Sequence, residues 1–321
     1  MLFLGVLMLK QGPGAIYLLI FALFFVVSPV KAQKQENDNA RFENPAIKLE
    51  VNLVSFPVIV VDRSGRAIPD LDRDNFEVYE DGVKQEIAFF NRSESAINIG
   101  FVFDLSGSMG KKIRRAQEAL KAFLEVSRDD DEFFLIGFAD RPRLLQGFTS
   151  SRDKILNSLA LIAPEGNTAL YDAVYLALEN IKRGRHPRSA LVIISDGQDN
   201  HSRYSYDQIK EAILETDVQV YSVCVPGIWG LTDRAELYGR RVLRELAAPT
   251  GGKSYYARRL EDLDEALRDI GLQLRNQYDI GYTPSLRSRD GRWRKLKVKL
   301  TNLPEGAPKM AIRSRSGYRP L

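Results

Sequence analysis

From Ile97 to Asn276 the chain alternates short, almost wholly apolar runs with stretches of helical period, and this alternation restricts the fold more than any other feature. Strands are predicted over Ile97–Phe103, Glu132–Phe138, Ala190–Ile194, Val218–Val225 and Ser254–Ala257, with a short hairpin strand around Arg143–Phe148. Between them helices are predicted over Lys111–Val126, Arg152–Leu161, Ala169–Arg183, Tyr206–Glu215, Ala235–Ala247 and Leu260–Asn276. In the first helix Ile113, Ala116, Leu120, Phe123 and Leu124 fall on one face. A chain that repeats strand and helix in this way predicts the α/β class, a doubly wound, mostly parallel sheet with helices on both faces.

The flanks have a different period. Residues 48–62 are strongly β, through Val51, Leu53, Val54, Phe56, Val58, Ile59, Val60 and Val61, with Pro57 pointing to an edge or a bulge. Phe76, Val78 and Tyr79 alternate before Asp81-Gly82, and Ile87, Phe89 and Phe90 follow, which predicts a hairpin. After the last helix, Tyr278–Tyr282, Leu296–Leu300 and Met310–Ile312 read as strands. Three strands alone bury little. They are therefore expected to pack with the early strands in one flanking β-sandwich from which the α/β domain is inserted. The expected order is a signal segment at 1–32, a flexible leader at 33–46, sandwich strands at 47–95, the α/β domain at 96–275 and further sandwich strands at 276–321.

The N-terminus points to a compartment. Lys10 precedes an apolar stretch from Ala15 to Val27, and Val30-Lys31-Ala32 ends in a small residue, the pattern of a secretory signal. The apolar core is short for a membrane span. Export to the periplasm, the cell surface or the medium is expected, with membrane attachment only through this segment where it stays uncleaved. Cys224 is the only cysteine, so no internal disulfide supports the fold, and a hydrophobic content of 44% leaves that work to the core. The formal charge of +4 falls to +2 once Lys10 and Lys31 are removed, too weak a balance to imply a nucleic-acid partner. Only His186 and His201 are present, which excludes a multi-histidine metal site.

Asp104-Leu105-Ser106-Gly107-Ser108 closes the first strand of the α/β region, placing one carboxylate and two hydroxyls on alternate positions of a tight turn. Oxygen-only ligation suits Mg²⁺, Mn²⁺ or Ca²⁺. Thr168 precedes the third helix and Asp196 follows the fourth strand, so both fall on the sheet edge where open α/β sheets bind ligands. Two carboxylates and three hydroxyls converging there predict a site for a small hard cation, with water filling the remaining positions. Ser108-Met109-Gly110-Lys111-Lys112 is not a phosphate loop, because Leu105 and Lys112 stand where Gly and Ser or Thr are needed. Ser195, Asp196 and His201 lack the Gly-x-Ser-x-Gly elbow of a hydrolase. Asp140, Glu165, Asp172 and Asp199 read as solvated loop carboxylates, Cys224 as a core residue and His186 as a surface loop residue. The basic run Arg287 to Lys299 reads as the exposed face of a half-buried strand. Gly227-Ile228-Trp229-Gly230-Leu231 is either a partner-contact loop or one that packs on the sheet edge.

Asp104-Leu105-Ser106-Gly107-Ser108-Met109, Gly166-Asn167-Thr168-Ala169-Leu170 and Ile193-Ile194-Ser195-Asp196-Gly197 together resemble the three parts of the metal-ion-dependent adhesion site of von Willebrand factor A domains, over about residues 97 to 275. The flanking segments Asp62-Arg63-Ser64-Gly65, Phe76 to Gly82 and Arg313 to Tyr318 resemble the exported VWFA-related proteins named for Acidobacteria. The resemblance implies that Ser106, Ser108 and Thr168 contact a divalent cation while Asp104 and Asp196 hold it directly or through water. It also implies that an Asp or Glu carboxylate from a partner protein takes the open position. The implied protein is an exported, metal-dependent adhesion or assembly module and not an enzyme. The contrasting expectations are a metal-assisted hydrolase using the same cation, and an envelope component whose metal only stabilises the fold.

Overall fold

In the computed structural model, which describes residues 53–92, 95–110, 112–160, 165–225, 234–259, 261–286 and 290–320, the flanking segments come first as four strands. These are β1 (Val54–Val61), β2 (Phe76–Glu80), β3 (Val83–Gln85) and β4 (Ile87–Arg92). The α/β region follows as β5 (Ile97–Asp104), α1 (Ile113–Glu125), β6 (Glu132–Phe138), β7 (Pro142–Thr149), α2 (Arg152–Ala160), α3 (Leu170–Ile181) and β8 (Arg188–Ser195). It continues with α4 (Tyr206–Glu215), β9 (Gln219–Cys224), α5 (Arg234–Ala247), β10 (Ser254–Tyr256) and α6 (Asp262–Arg275). The chain then returns to strands, β11 (Tyr278–Tyr282), β12 (Arg294–Leu300), β13 (Ala311–Ser314) and β14 (Gly317–Tyr318). The expected signal segment, the leader and the Gly227–Leu231 loop lie outside the described residues.

Six strands form the central sheet in the order β10-β9-β8-β5-β6-β7, parallel except for β7, which runs antiparallel to β6. Strand β5 is buried at every position because both faces of the sheet are covered. Ile99, Phe101 and Phe103 pack with the apolar faces of α1 and α6, while Val102 packs with α3 on the other side. Phe101 meets Phe123 of α1 edge-to-face, with ring centroids 5.2 Å apart. Truncating either ring to Ala is expected to cost about 3–5 kcal/mol. From β5 the chain passes to β6 on one side and later returns to β8 on the other. The strand order therefore reverses between β5 and β8, and the crevice beyond their carboxyl ends is where such sheets take ligands.

The two flanks pair with each other. One four-stranded sheet has the order β13-β1-β11-β4 and the other β14-β12-β2-β3, so each combines early and late strands. Phe56, Val58, Val60, Phe76, Val78, Tyr278, Ile280, Tyr282, Leu296 and Val298 form the core between them. This is the β-sandwich expected from the sequence. Pro57 lies in the half of β1 that has β11 alone as neighbour, since β13 pairs only from Val58 onward. In β12, Leu296 and Val298 are buried while Lys295, Lys297 and Lys299 are exposed.

One expectation is corrected. The strand that returns from the Asp81-Gly82 turn is β3, whereas Ile87, Phe89 and Phe90 belong to β4 in the opposite sheet, paired with β11. Both turn residues have positive φ, 47° and 87°, as a tight hairpin requires. The crossing at Glu86 brings Phe90 to within 5.5 Å of the Phe76 ring and 5.6 Å of the Tyr278 ring, centroid to centroid, so both sheets share one aromatic cluster.

Candidate metal centre

Three loops meet beyond the carboxyl ends of β5 and β8. The first leaves Asp104, where the Ser106 N–H donates to Asp104 Oδ1 at 2.9 Å, and tightens into a 3₁₀ turn over Gly107–Met109. Met109, wholly buried, anchors that turn to the core. The second loop, Glu165 to Ala169, is tied to the first by Gly107 N–H donating to Gly166 O at 3.2 Å and Glu165 N–H donating to Leu105 O at 3.0 Å. The third carries Asp196 and turns at Gly197, whose φ of 79° suits glycine. A Cβ on Gly197 would stand 2.3 Å from Gly239 O, and one on Gly239 would stand 2.2 Å from Asp196 O. The Asp196 turn therefore lies backbone-to-backbone against α5.

The side chains form a continuous hydrogen-bonded series. Ser195 Oγ donates to Asp104 Oδ2 at 2.6 Å, Ser106 Oγ and Ser108 Oγ are 3.1 Å apart, and Ser108 Oγ donates to Asp196 Oδ2 at 2.9 Å. Gln198 N–H donates to Asp196 Oδ1 at 3.0 Å. Four of the five expected residues, Asp104, Ser106, Ser108 and Asp196, thus stand in one cluster. Thr168 is on the loop tied to the Gly107 turn through Gly166, and its own contacts are to the third loop: its N–H donates to Asn200 Oδ1 at 2.9 Å, and its carbonyl accepts from Asn200 N–H and His201 N–H at 3.0 and 3.1 Å. Asp104, Ser106, Thr168 and Asp196 are buried, whereas Gly107 and Ser108 are exposed and mark the open side.

Burial pushes the Asp104 carboxyl up to about 6, the neighbouring Asp196 adding to the rise and the hydroxyls of Ser106 and Ser195 opposing it. Two carboxylates this close repel each other unless a cation stands between or near them. The donor set is oxygen throughout, and among the described residues no three His, Cys, Asp or Glu side chains converge elsewhere or here. A metal at this edge would need the hydroxyls as well as the two carboxylates. That set fits a hard divalent cation and not one that prefers nitrogen or sulfur.

Several residues prove different from their sequence reading. Asp140 is no idle loop carboxylate: its Oδ1 accepts both the backbone N–H and the side-chain amide of Asn167 at 2.8 Å, holding the residue before Thr168. Asp172 is buried and accepts the N–H groups of Arg203 and Tyr204 at 2.8 and 3.1 Å, while Asp199 accepts from Tyr171 N–H and the Ser202 hydroxyl. Each carboxylate terminates backbone donors that a loop would otherwise leave unpaired. His186 is half-buried and its peptide is held from both sides by the Asn98 amide, with Nδ2 donating to His186 O at 2.7 Å. Cys224, by contrast, is the core residue expected, buried in β9, where desolvation pushes its thiol up to about 12. Ser195, weighed in the sequence only against a hydrolase and as part of the third motif, is the residue that holds Asp104. Its place next to Asp196, at the carboxyl end of a predicted strand and on the same sheet edge as Asp104, was the available signal.

Residues 99–198 match the family model described as von Willebrand factor type A domain. Inter alpha-trypsin inhibitor heavy chain 4 of Mus musculus is 30% identical over 185 residues, covering 53% of this chain and 19% of that protein. An uncharacterized protein of Borreliella burgdorferi is 23% identical over 181 residues, covering 49% of this chain and 53% of that one. The chain thus spans about a fifth and about half of the length of these two curated relatives. Among solved structures, von Willebrand factor type A from Catenulispora acidiphila aligns with a TM-score of 0.49 at 14% identity, covering 71% of this chain and 51% of that one. With a parallel six-stranded sheet, helices on both faces and the family match over its central strands, this chain carries a von Willebrand factor type A domain.

Proposed function

We propose that this protein is an exported, cation-dependent protein-binding module of adhesion or assembly type. Asp104, Ser106, Ser108, Thr168 and Asp196 would hold a divalent cation, Mg²⁺ first and Mn²⁺ or Ca²⁺ as substitutes. The observation that carries this reading is the buried series Ser195, Asp104, Ser106, Ser108 and Asp196, which opens to solvent at Ser108. A bound divalent cation supplies a coordination position that a partner's Asp or Glu carboxylate can take. The chain's own part is to present hard oxygens in fixed positions: Ser195 and the Ser106 N–H orient Asp104, and Gln198 N–H orients Asp196. Leu237 and Tyr238, exposed on α5 beside Gly239, give a partner apolar surface next to the Asp196 turn.

Export rests on residues 1–32, and among the described residues no helix is long and apolar enough to cross a membrane. The test is capture of partners from an envelope extract in Mg²⁺ and in EDTA, with wild-type protein and Asp104→Ala. Capture that needs both the cation and Asp104 supports the proposal. Equal capture in EDTA overturns it, and peptide or phosphoester turnover lost in Asp104→Ala replaces it with a hydrolase.

A further inference from the structure

Lys112 stands between the turn that carries Ser108 and the first residue of α1. Its N–H donates to Met109 O at 2.8 Å and its carbonyl accepts from Ala116 N–H at 2.9 Å, so its backbone is fixed at both ends. The residue is 8% exposed, and its ammonium nitrogen has no hydrogen-bond partner among the described residues. A buried charge without an acceptor is costly and is retained only where opposite charges compensate it. Burial pulls the Lys112 ammonium below its ordinary value, opposed first by Asp196, then by Asp104, with Cys224 and Glu236 weaker.

Glu236 completes the group. It lies in the first turn of α5, 3% exposed, with Oε1 accepting the Tyr256 hydroxyl and Oε2 unpartnered among the described residues. The other buried carboxylate oxygen without a partner there, Glu132 Oε2, belongs to the first residue of β6 at the opposite edge of the sheet. Glu236 is one turn before Gly239, whose backbone abuts the Asp196 turn, and Asp196 accepts the Ser108 hydroxyl of the turn that leads into Lys112. Of these two oxygens only Glu236 Oε2 therefore belongs to the Lys112 end of the sheet.

We propose that Lys112 is the resident counter-cation of the Asp104 and Asp196 pair, and that entry of a divalent cation hands its ammonium over to Glu236. This rests on the metal-site reading given above. Two carboxylates and one ammonium leave the site at a net charge of about −1, and a divalent cation added without rearrangement makes it about +1. Repulsion then drives the unpartnered ammonium away from the aspartates, and the unpartnered oxygen of Glu236 receives it. Glu236 lies one turn before Gly239, which abuts the Asp196 turn. The handover therefore ties the first turn of α5, with the exposed Leu237 and Tyr238, to the charge state of the site.

The two residues act in opposite directions on cation affinity, which makes the idea testable by calorimetric titration of Mg²⁺ and Mn²⁺ into the full chain. Lys112→Met removes a repulsion and is expected to tighten binding about tenfold, with Lys112→Gln changing it in the same direction. Glu236→Gln removes the receiving group and is expected to weaken binding severalfold. In the Lys112→Met background the Glu236→Gln effect should largely vanish, the mark of two residues acting through one interaction. Thermal unfolding of each variant verifies its fold, and Lys112→Gln stands in should Lys112→Met not fold. Unchanged or weaker binding in both Lys112 variants overturns the counter-cation. A Glu236→Gln effect of equal size in both backgrounds overturns the handover. If wild type binds no cation and equals Asp104→Ala, the metal-site reading itself fails, and this inference with it.

Discussion

Ser195 Oγ donates to Asp104 Oδ2 at 2.6 Å while accepting the Gly197 N–H at 3.0 Å, so one wholly buried hydroxyl joins the end of β5 to the turn that follows β8. The pairing of Phe103 with Ile194 in the parallel register sets the next residues, Asp104 and Ser195, side by side. Ser195→Ala leaves Asp104 Oδ2 without this donor in a buried place. A loss of about 1–3 kcal/mol in stability is expected. Denaturant unfolding without added metal measures it, and cation titration of the same variant should show weaker binding because Asp104 is no longer oriented.

Gly239 offers a test of opposite sign to the usual rule. Alanine in a helix interior is ordinarily more favourable than glycine by about 1 kcal/mol. Here the added Cβ would meet Asp196 O at 2.2 Å, a backbone atom on a turn that cannot shift without moving the carboxylate. Gly239→Ala is expected to destabilise the protein and to weaken cation binding together. A rise in melting temperature with unchanged binding would show that α5 moves freely against the turn.

Asp104 predicts a pH dependence. Its carboxyl, raised from 3.8 to about 6 by burial, keeps its proton in the folded chain over a range in which the unfolded chain has released it. Without metal, its contribution to stability is full below about pH 4 and is lost as pH rises through about 6, a difference of about 3 kcal/mol. Added Mg²⁺ favours the ionised carboxylate, so the stabilisation it gives should be large at neutral pH and shrink below about pH 6 as protons compete. Melting temperatures with and without Mg²⁺ across this range check it, and Asp104→Asn should abolish the dependence.

Asp140 contributes no predicted ligand oxygen yet holds the Asn167 peptide and amide. Asp140→Ala should free the Thr168 loop and weaken cation affinity roughly tenfold. Stability should fall by only about 1 kcal/mol, since the carboxylate is exposed. Affinity equal to wild type would mean that the loop is held well enough by its other contacts, those to Leu105, Gly107, Ala139, Asn200 and His201.

The alternation of strand and helix from Ile97 onward was legible because each element carries its own period, and the observed helices begin and end within two residues of the predicted ones. Elements whose definition is not local were harder to read. Strand β14 is two residues long and carries no period of its own. The passage from β3 to β4 occurs at Glu86, with neither glycine nor proline to mark it. The same distinction holds at the site. Asp104, Ser106 and Ser108 share one turn, whereas the roles of Ser195 and Asp140 depend on partners 91 and 27 residues away. Lys112 gave no sign because nothing local distinguishes a buried lysine from a solvated one such as Lys121.

Strand β1 faces two ways. Phe56, Val58 and Val60 lie in the core of the sandwich, while Ile59 and Val61 lie in the core that also holds α1, α6 and β5. The core of the α/β region is thus closed in part by a strand that precedes it in sequence. A protein engineer who cut out residues 96–275 for transplantation would leave behind two of the side chains that seal its interior, and would have to replace them.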